Sequence, residues 1–295
     1  MFVCPQTKTE LESWYSNAAD TLYPLLDGIP VLVSDPEQFL RLHGPWSPTA
    51  NVAGQAQQIR GLWSPDAVTP FMAPKALQVG GPFGDFLLDL DLHPDGWVAE
   101  TASLHAPEGV AVDLGCGLGG MALRMSAMGR DVVALDIDPA TMITCRDVLT
   151  GRLQDAWVPT HRRGARAMKV PVRPPDHPIA LAIADAAAPP LPEAMFAWVH
   201  LGLLLDDLDT DSMVKVLLGA RALIPRGGVL SITTAYDGPG AHVPEQPSFE
   251  PELREVLTEL GLTLVEEQDK LPHVTRRWDR YFEVRLVHAM VWRAV

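Results

Sequence analysis

A short apolar run that breaks into closely spaced glycines and then turns helical leaves a chain few ways to fold. Residues 109–120 read GVAVDLGCGLGG, and MALRMSAMGR follows with helical spacing and a glycine at its end. The first half suits a buried strand. The glycines let the backbone turn sharply into a helix and come close to a ligand. DVVALDID is a second strand, and Pro139 suits the first turn of the helix after it. IALAIADA, FAWVHLGLLL, GGVLSITT, LTLVEEQ and YFEVRLVHAMVW are further strand candidates. Helical stretches such as DSMVKVLLGARALI and PELREVLTELG fall between most of them. Such alternation predicts an α/β fold with a doubly wound, mostly parallel sheet. Two final strands with little between them predict a hairpin, and so an antiparallel edge strand. The expectation is a seven-stranded sheet over 109–295 with a small N-terminal α+β extension.

The glycine loop fits two nucleotide-binding patterns at once. As GxGxxG its glycines are Gly115, Gly117 and Gly120; as DxGxGxG they are Gly115, Gly117 and Gly119 behind Asp113. The first pattern takes a pyrophosphate. The second takes S-adenosylmethionine (SAM), which has a sulfonium and an ammonium instead. Asp113 discriminates. A carboxylate at the end of the first strand disfavours a pyrophosphate and favours a cation. Asp136 ends the second strand and can accept from both ribose hydroxyls of either ligand. Cys116 and Ile137, flanking these groups, complete the cofactor set. Asp185, after the third strand, can face an adenine amino group; it can also cap a turn. His200, at the end of the fourth strand, is a candidate neighbour of the methyl donor or a buried core histidine.

The chain of 295 residues carries a net charge of −14, which opposes nucleic acid as a partner. Two basic clusters run against that average: Arg162, Arg163, Arg166, Lys169 and Arg173, then Lys270, Arg276, Arg277 and Arg280. Both read as solvated faces or salt-bridge partners before anion sites. Three widely spaced cysteines imply no disulfide framework and fit a reducing cytoplasm. The first residues do not have the pattern of a signal peptide, and no apolar run is long enough to span a membrane. No metal cluster is expected, and the sequence gives no oligomeric state.

Residues 1–40 look like a small unit in which Asp27-Gly28 turns into a short strand, Ile29–Val33. Residues 41–108 are rich in Pro, Gly and Trp, with short helical pieces such as TANVAGQAQQIRGLW. They carry Trp46, Trp63, Phe71, Phe83, Phe86 and Trp97, which suit a lid over an apolar pocket or a helical subdomain.

VDLGCGLGG, ALDID, IADA with a following LP, and ARALIPRGG occur in the order found in class I SAM-dependent methyltransferases, and residues 109–235 resemble that family. The resemblance implies SAM as cofactor and methyl transfer as the reaction. CPQTKTEL with YPLLDGIPVLV resembles the zinc-ribbon-related domain that activates several tRNA and protein methyltransferases. Cys4 is the one cysteine kept from its ligand set, and Thr7 replaces the second, so no zinc is expected. LGLLLDDLD is similar to the NLLDR-like motif of DREV-type protein-histidine methyltransferases and of 4-mercaptohistidine N-methyltransferases. Asp206 falls on their aspartate, Leu203 on the asparagine and Asp207 on the arginine. Tyr236, in AYDG, keeps the tyrosine of a PYxW-like segment.

Methyl transfer from a sulfonium needs an aligned nucleophile, exclusion of water and, for some acceptors, proton removal. The catalytic candidates are therefore Asp206, His200 and Tyr236. Asp206 can also be read as capping the helix that begins near Asp209. The leading expectation is an enzyme that methylates a small molecule or peptide side chain at N or O. The alternatives are a tRNA or rRNA methyltransferase, a non-catalytic SAM-binding partner and, more distantly, a dinucleotide oxidoreductase.

Overall fold

The computed structural model describes residues 1–43, 47–48, 58–60, 94–153, 155–161, 164–169, 174–236, 249–278 and 281–295. Near the N-terminus β1 (Tyr15–Ser16) pairs antiparallel with β2 (Thr21–Leu22). β3 (Leu25–Leu26) then turns through Asp27 and Gly28 into β4 (Ile29–Leu32). Both turn residues have positive φ, 53° and 85°, the type I′ geometry that Asp-Gly favours in a tight hairpin. Helix α1 (Pro36–His43) follows, capped by Asp35, which accepts from the Gln38 N–H at 2.8 Å. Two short strands, β5 (Ser47–Pro48) and β6 (Gln58–Arg60), pair with one another.

Helix α2 (Pro94–His105) leads into β7 (Ala111–Leu114), α3 (Gly120–Ala127), β8 (Val132–Asp136) and α4 (Pro139–Leu149). Asp138 caps α4, accepting from the Thr141 N–H, with Pro139 in its first turn. An antiparallel pair, β9 (Asp155–His161) and β10 (Gly164–Lys169), precedes β11 (Ile179–Ala184). Then come β12 (Trp198–Gly202), α5 (Thr210–Leu223), β13 (Val229–Thr234), α6 (Phe249–Glu259), β14 (Leu262–Trp278) and β15 (Tyr281–Ala294).

The main sheet runs β14-β15-β13-β12-β7-β8-β11-β4-β3-β6-β5. Strands β7, β8, β11, β12 and β13 pair in parallel, while β15 runs antiparallel between β13 and β14. The α/β doubly wound reading holds, with the final hairpin at one edge. The strand order reverses at β7, with β8 and β11 on one side and β12 and β13 on the other. That switch point opens a crevice beyond the carboxyl ends of β7 and β12, where this class of sheet binds ligands.

Three features depart from the sequence reading. Among the described residues the main sheet has eleven strands, because the N-terminal residues extend the seven of 109–295. β4 joins β11 in parallel, Val31 opposite Ile183 and Leu32 opposite Ala184. The edge of β11 would otherwise present unpaired N–H and C=O groups, and all four residues of β4 are buried against it. Second, Gln58–Arg60 is extended and lies parallel to β3, so that part of the TANVAGQAQQIRGLW stretch is not helical; the open edge of the β3–β4 hairpin supplies the ladder it completes. Third, α2 packs Val98, Ala99 and Ala102 into the core against β13, β15 and α3, with Trp97 beside them. Trp46, Trp63, Phe71, Phe83 and Phe86, and so the lid reading, lie outside the described residues.

One face of the sheet is covered by α2, α3 and α4 and the other by α5 and α6, each face with its own apolar cluster. The N-terminal unit is tied on by polar contacts as well. The Val3 N–H donates to the Pro190 carbonyl at 2.9 Å and Lys8 Nζ to the Pro189 carbonyl at 2.6 Å. Cys4 is fully buried, its Sγ 3.2 Å from the Tyr23 hydroxyl. Thr7, at the expected second ligand position, pairs with the Thr9 hydroxyl. Among the described residues no helix is long and apolar enough to cross a membrane, and no three His, Cys, Asp or Glu side chains are grouped to hold a metal ion.

Candidate active site at the carboxyl edge of the sheet

The loop after β7 is held by glycines where no other residue fits easily. Gly115, Gly117 and Gly119 have φ of 73°, 54° and 83°, in the left-handed region that a side chain disfavours. A Cβ on Gly119 would lie 2.9 Å from Cys145 Sγ of α4. Backbone bonds fix the loop to β8: the Gly115 and Cys116 N–H groups both donate to the Leu135 carbonyl, at 2.8 and 2.9 Å.

Asp136, at the end of β8, accepts from the Gly117 N–H on one oxygen and the Asp138 N–H on the other, each at 3.0 Å. Its carboxylate thus stands directly against the glycine turn. Ile137 beside it keeps 46% of its surface exposed and offers an apolar wall. Cys116 is buried behind the turn, its Sγ 3.6 Å from Met142 Sδ on α4. The Cys116 thiol is pushed well up, by the Cys145 thiol against it and by burial, so it stays neutral.

Asp113 decides the electrostatics. It is 2% exposed, and helix α3 begins with Gly119 as a cap without a side-chain acceptor. The Ala122 N–H in the first turn of α3 favours the ionised form of the Asp113 carboxyl, which it faces. The positive end of α3, where a dinucleotide fold places its pyrophosphate, is therefore faced by a carboxyl group. Its Oδ2 is buried with no hydrogen-bond partner among the described residues. Burial, then the carboxylates of Asp95 and Asp136, push Asp113 up to about 8. Asp95, in the first turn of α2, was not read from the sequence. Its Oδ2 lies 3.8 Å from where Gly120 would carry a Cβ, so it closes the third side of the loop.

The remaining candidates separate. Asp185 accepts the Ala187 N–H at 2.8 Å and so caps the turn after β11. His200 does not stand over the crevice. It is 1% exposed within the sheet, level with Asp113 on β7 and Ser231 on β13. Its Nδ1 pairs with Ser231 Oγ at 2.9 Å, and Trp198 Nε1 donates to the same hydroxyl at 2.7 Å. The buried-histidine reading is the one that fits.

Asp206 is buried, but it does not cap α5; Asp209 does, accepting the Ser212 N–H at 2.7 Å. Instead Asp206 accepts the Thr234 hydroxyl at 2.5 Å, the Ala235 N–H at 2.9 Å and the Tyr236 N–H at 3.2 Å. It pins the end of β13 to the turn after β12. That turn also reaches the glycine loop, since Leu204 Cδ1 lies 3.0 Å from where Gly115 would carry a Cβ. Tyr236 thus stands on the same edge as the glycine loop. Its hydroxyl is 2.8 Å from His288 Nδ1, and His288 Nε2 is 2.9 Å from Glu267 Oε2. His288 and Glu267 were not read as site residues. They come from β15 and β14, far from Tyr236 in sequence, and only the antiparallel register brings them there.

Of the basic clusters, Lys270 is exposed on β14, while the side chains of Arg162, Arg163, Arg166, Lys169, Arg173, Arg276, Arg277 and Arg280 lie outside the described residues.

Comparison with solved structures agrees with this architecture. A structure reported for the conversion of a disulfide bond into a thioacetal group during echinomycin biosynthesis is 18% identical, covering 74% of this chain and 84% of its own, with a TM-score of 0.51. The [4+2]-cyclase SpnF is 16% identical, covering 78% and 93%, with a TM-score of 0.51. Magnesium protoporphyrin IX methyltransferase from Synechocystis PCC 6803, solved with bound SAM, is 16% identical over 68% of this chain and 76% of its own, at 0.42. At these identities the likeness to the first two is one of fold. No protein-family model and no curated protein matches the chain.

Proposed function

We propose that this protein binds SAM at the glycine loop and transfers its methyl group to a small molecule or a peptide side chain. The observation that carries the reading is Asp113. A buried carboxyl group at a helix N-terminus, with an acceptor oxygen unmet, can ionise beside a cationic ligand, and the Asp95 and Asp136 carboxylates next to it favour that cation and disfavour a pyrophosphate. SAM carries an ammonium to meet these carboxylates and a ribose for Asp136. Ile137 would flank its adenine, with Asp185 at the adenine edge. The group, when bound, supplies an electrophilic methyl. The protein's part is to orient it, exclude water and hold the acceptor in line.

The test is Asp136→Ala. Removing charge-assisted bonds to the ribose should weaken SAM binding by about 1.5–3 kcal/mol, read by calorimetry. Unchanged affinity would show that the ribose lies elsewhere.

A further inference from the structure

Four elements converge on one polar chain beside the crevice. Tyr236 follows β13, His288 lies on β15, Glu267 on β14, and Arg254 and Glu250 on α6. Arg254 pairs with Glu267 and, at 3.0 Å, with Glu250. Burial pushes the Glu267 carboxyl up, but Arg254 and His288 outweigh it and hold it below its ordinary value. An ionised Glu267 can only accept, so His288 Nε2 carries the proton toward it. His288 Nδ1 is then the acceptor, and the Tyr236 hydroxyl donates to it. Glu250 is farther off, 3.9 Å from Nδ1. His288 is 4% exposed, whereas Tyr236 is only half-buried.

The backbone is arranged to keep this chain aimed. Tyr236 has φ of 55°, a left-handed conformation that costs a non-glycine residue energy and persists where surrounding structure imposes it. Asp206 imposes it, through the Ala235 and Tyr236 N–H groups. Burial, then Glu250, push the Tyr236 phenol well above its ordinary value; Asp269 and Glu267 add to this and Arg254 opposes it. Tyr236 therefore passes a proton on more readily than it keeps a charge.

We propose, resting on the methyl-transfer reading, that Tyr236, His288 and Glu267 form a proton-accepting relay and that the methyl acceptor is a phenolic or enolic hydroxyl. A neutral amine attacks with its lone pair before losing a proton, and a thiol ionises near pH 8.5 unaided. A hydroxyl is a poor nucleophile until deprotonated, so it gains most from a relay that ends in a carboxylate. A phenolic or enolic hydroxyl near pKa 10 also gives its proton to a histidine–carboxylate base far more easily than an aliphatic alcohol does. The acceptor proton passes to the Tyr236 oxygen as the tyrosine proton passes to His288 Nδ1. The imidazolium formed is stabilised by Glu267. The oxygen–methyl bond forms as the carbon–sulfur bond of the sulfonium breaks, its electron pair returning to sulfur. His288 then gives its proton to solvent. Asp206 is a positioning residue in this scheme.

The experiment uses the full chain with SAM and two probe acceptors, 4-methoxyphenol and 4-nitrophenol, following S-adenosylhomocysteine formation. The second probe ionises near neutrality without help. Tyr236→Phe and His288→Gln should each slow the methoxyphenol reaction by about 10²- to 10⁴-fold while changing the nitrophenol rate and SAM affinity little. Equal losses on both probes would reduce the chain to a structural clamp and overturn the relay. SAM binding without turnover of either phenol would overturn the acceptor assignment alone. Failure to bind SAM would instead overturn the methyl-transfer reading beneath it.

Discussion

Asp113 makes cofactor binding depend on pH in a direction that can be worked out beforehand. In the free protein its carboxyl is pushed up to about 8 by burial and by Asp95 and Asp136, so it is mainly protonated at pH 7. A cationic ligand beside it favours the ionised form, so binding releases a proton. The apparent affinity then scales with the fraction of Asp113 that is already ionised. Between pH 6 and pH 7 affinity should rise about ninefold, or about 1.3 kcal/mol, while the ligand's own amino group stays charged. Calorimetric titration with SAM at both pH values, in buffers of different ionisation heat, measures both the affinity and the proton released. Asp113→Asn keeps the shape of the side chain without its titration and should flatten the dependence. The ligand-free protein should show the opposite trend. The native state keeps a proton that the unfolded chain loses, so stability falls as pH rises from about 4 toward 8. Constant or falling SAM affinity between pH 6 and 7, or the same slope in Asp113→Asn, would refute the argument.

Two further outcomes follow from the backbone. Leu203 has φ of 55°, in the left-handed region that a side chain disfavours. Leu203→Gly relieves a left-handed residue and should raise stability by about 1 kcal/mol, seen as an increase in Tm of a few degrees. Gly119→Ala should have the reverse effect, costing about 2 kcal/mol. It combines φ of 83° with a 2.9 Å approach to Cys145, and the displaced loop should lose SAM binding in the same titration.

What could be read from the chain was what is local. The strand–glycine–helix transition at 109–120, the Asp136 strand end and the closing hairpin each follow from spacing within a dozen residues, and each lies where it was expected. The N-terminal extension of the sheet could not be read so. Val31 meets Ile183 across about 150 residues of chain, and a four-residue apolar strand carries no mark of its partner. Asp206, a catalytic candidate in the sequence, could also be read as a helix cap because helix and aspartate are neighbours there. Its real partners, Thr234, Ala235 and Tyr236, are set by how β12 and β13 lie side by side. Asp95 was missed because it precedes the glycine motif, on a helix assigned to the connecting segment. Glu267 and His288 sat in two different strands, β14 and β15, each read only as a strand, where neither residue gives a sign of what it faces.

The central claim is that the glycine loop holds a cation and not a pyrophosphate. Titrating the purified protein with SAM and with NADH under one set of conditions tests it most directly. The account predicts micromolar binding of SAM and none of NADH. Binding of NADH with no binding of SAM would contradict it.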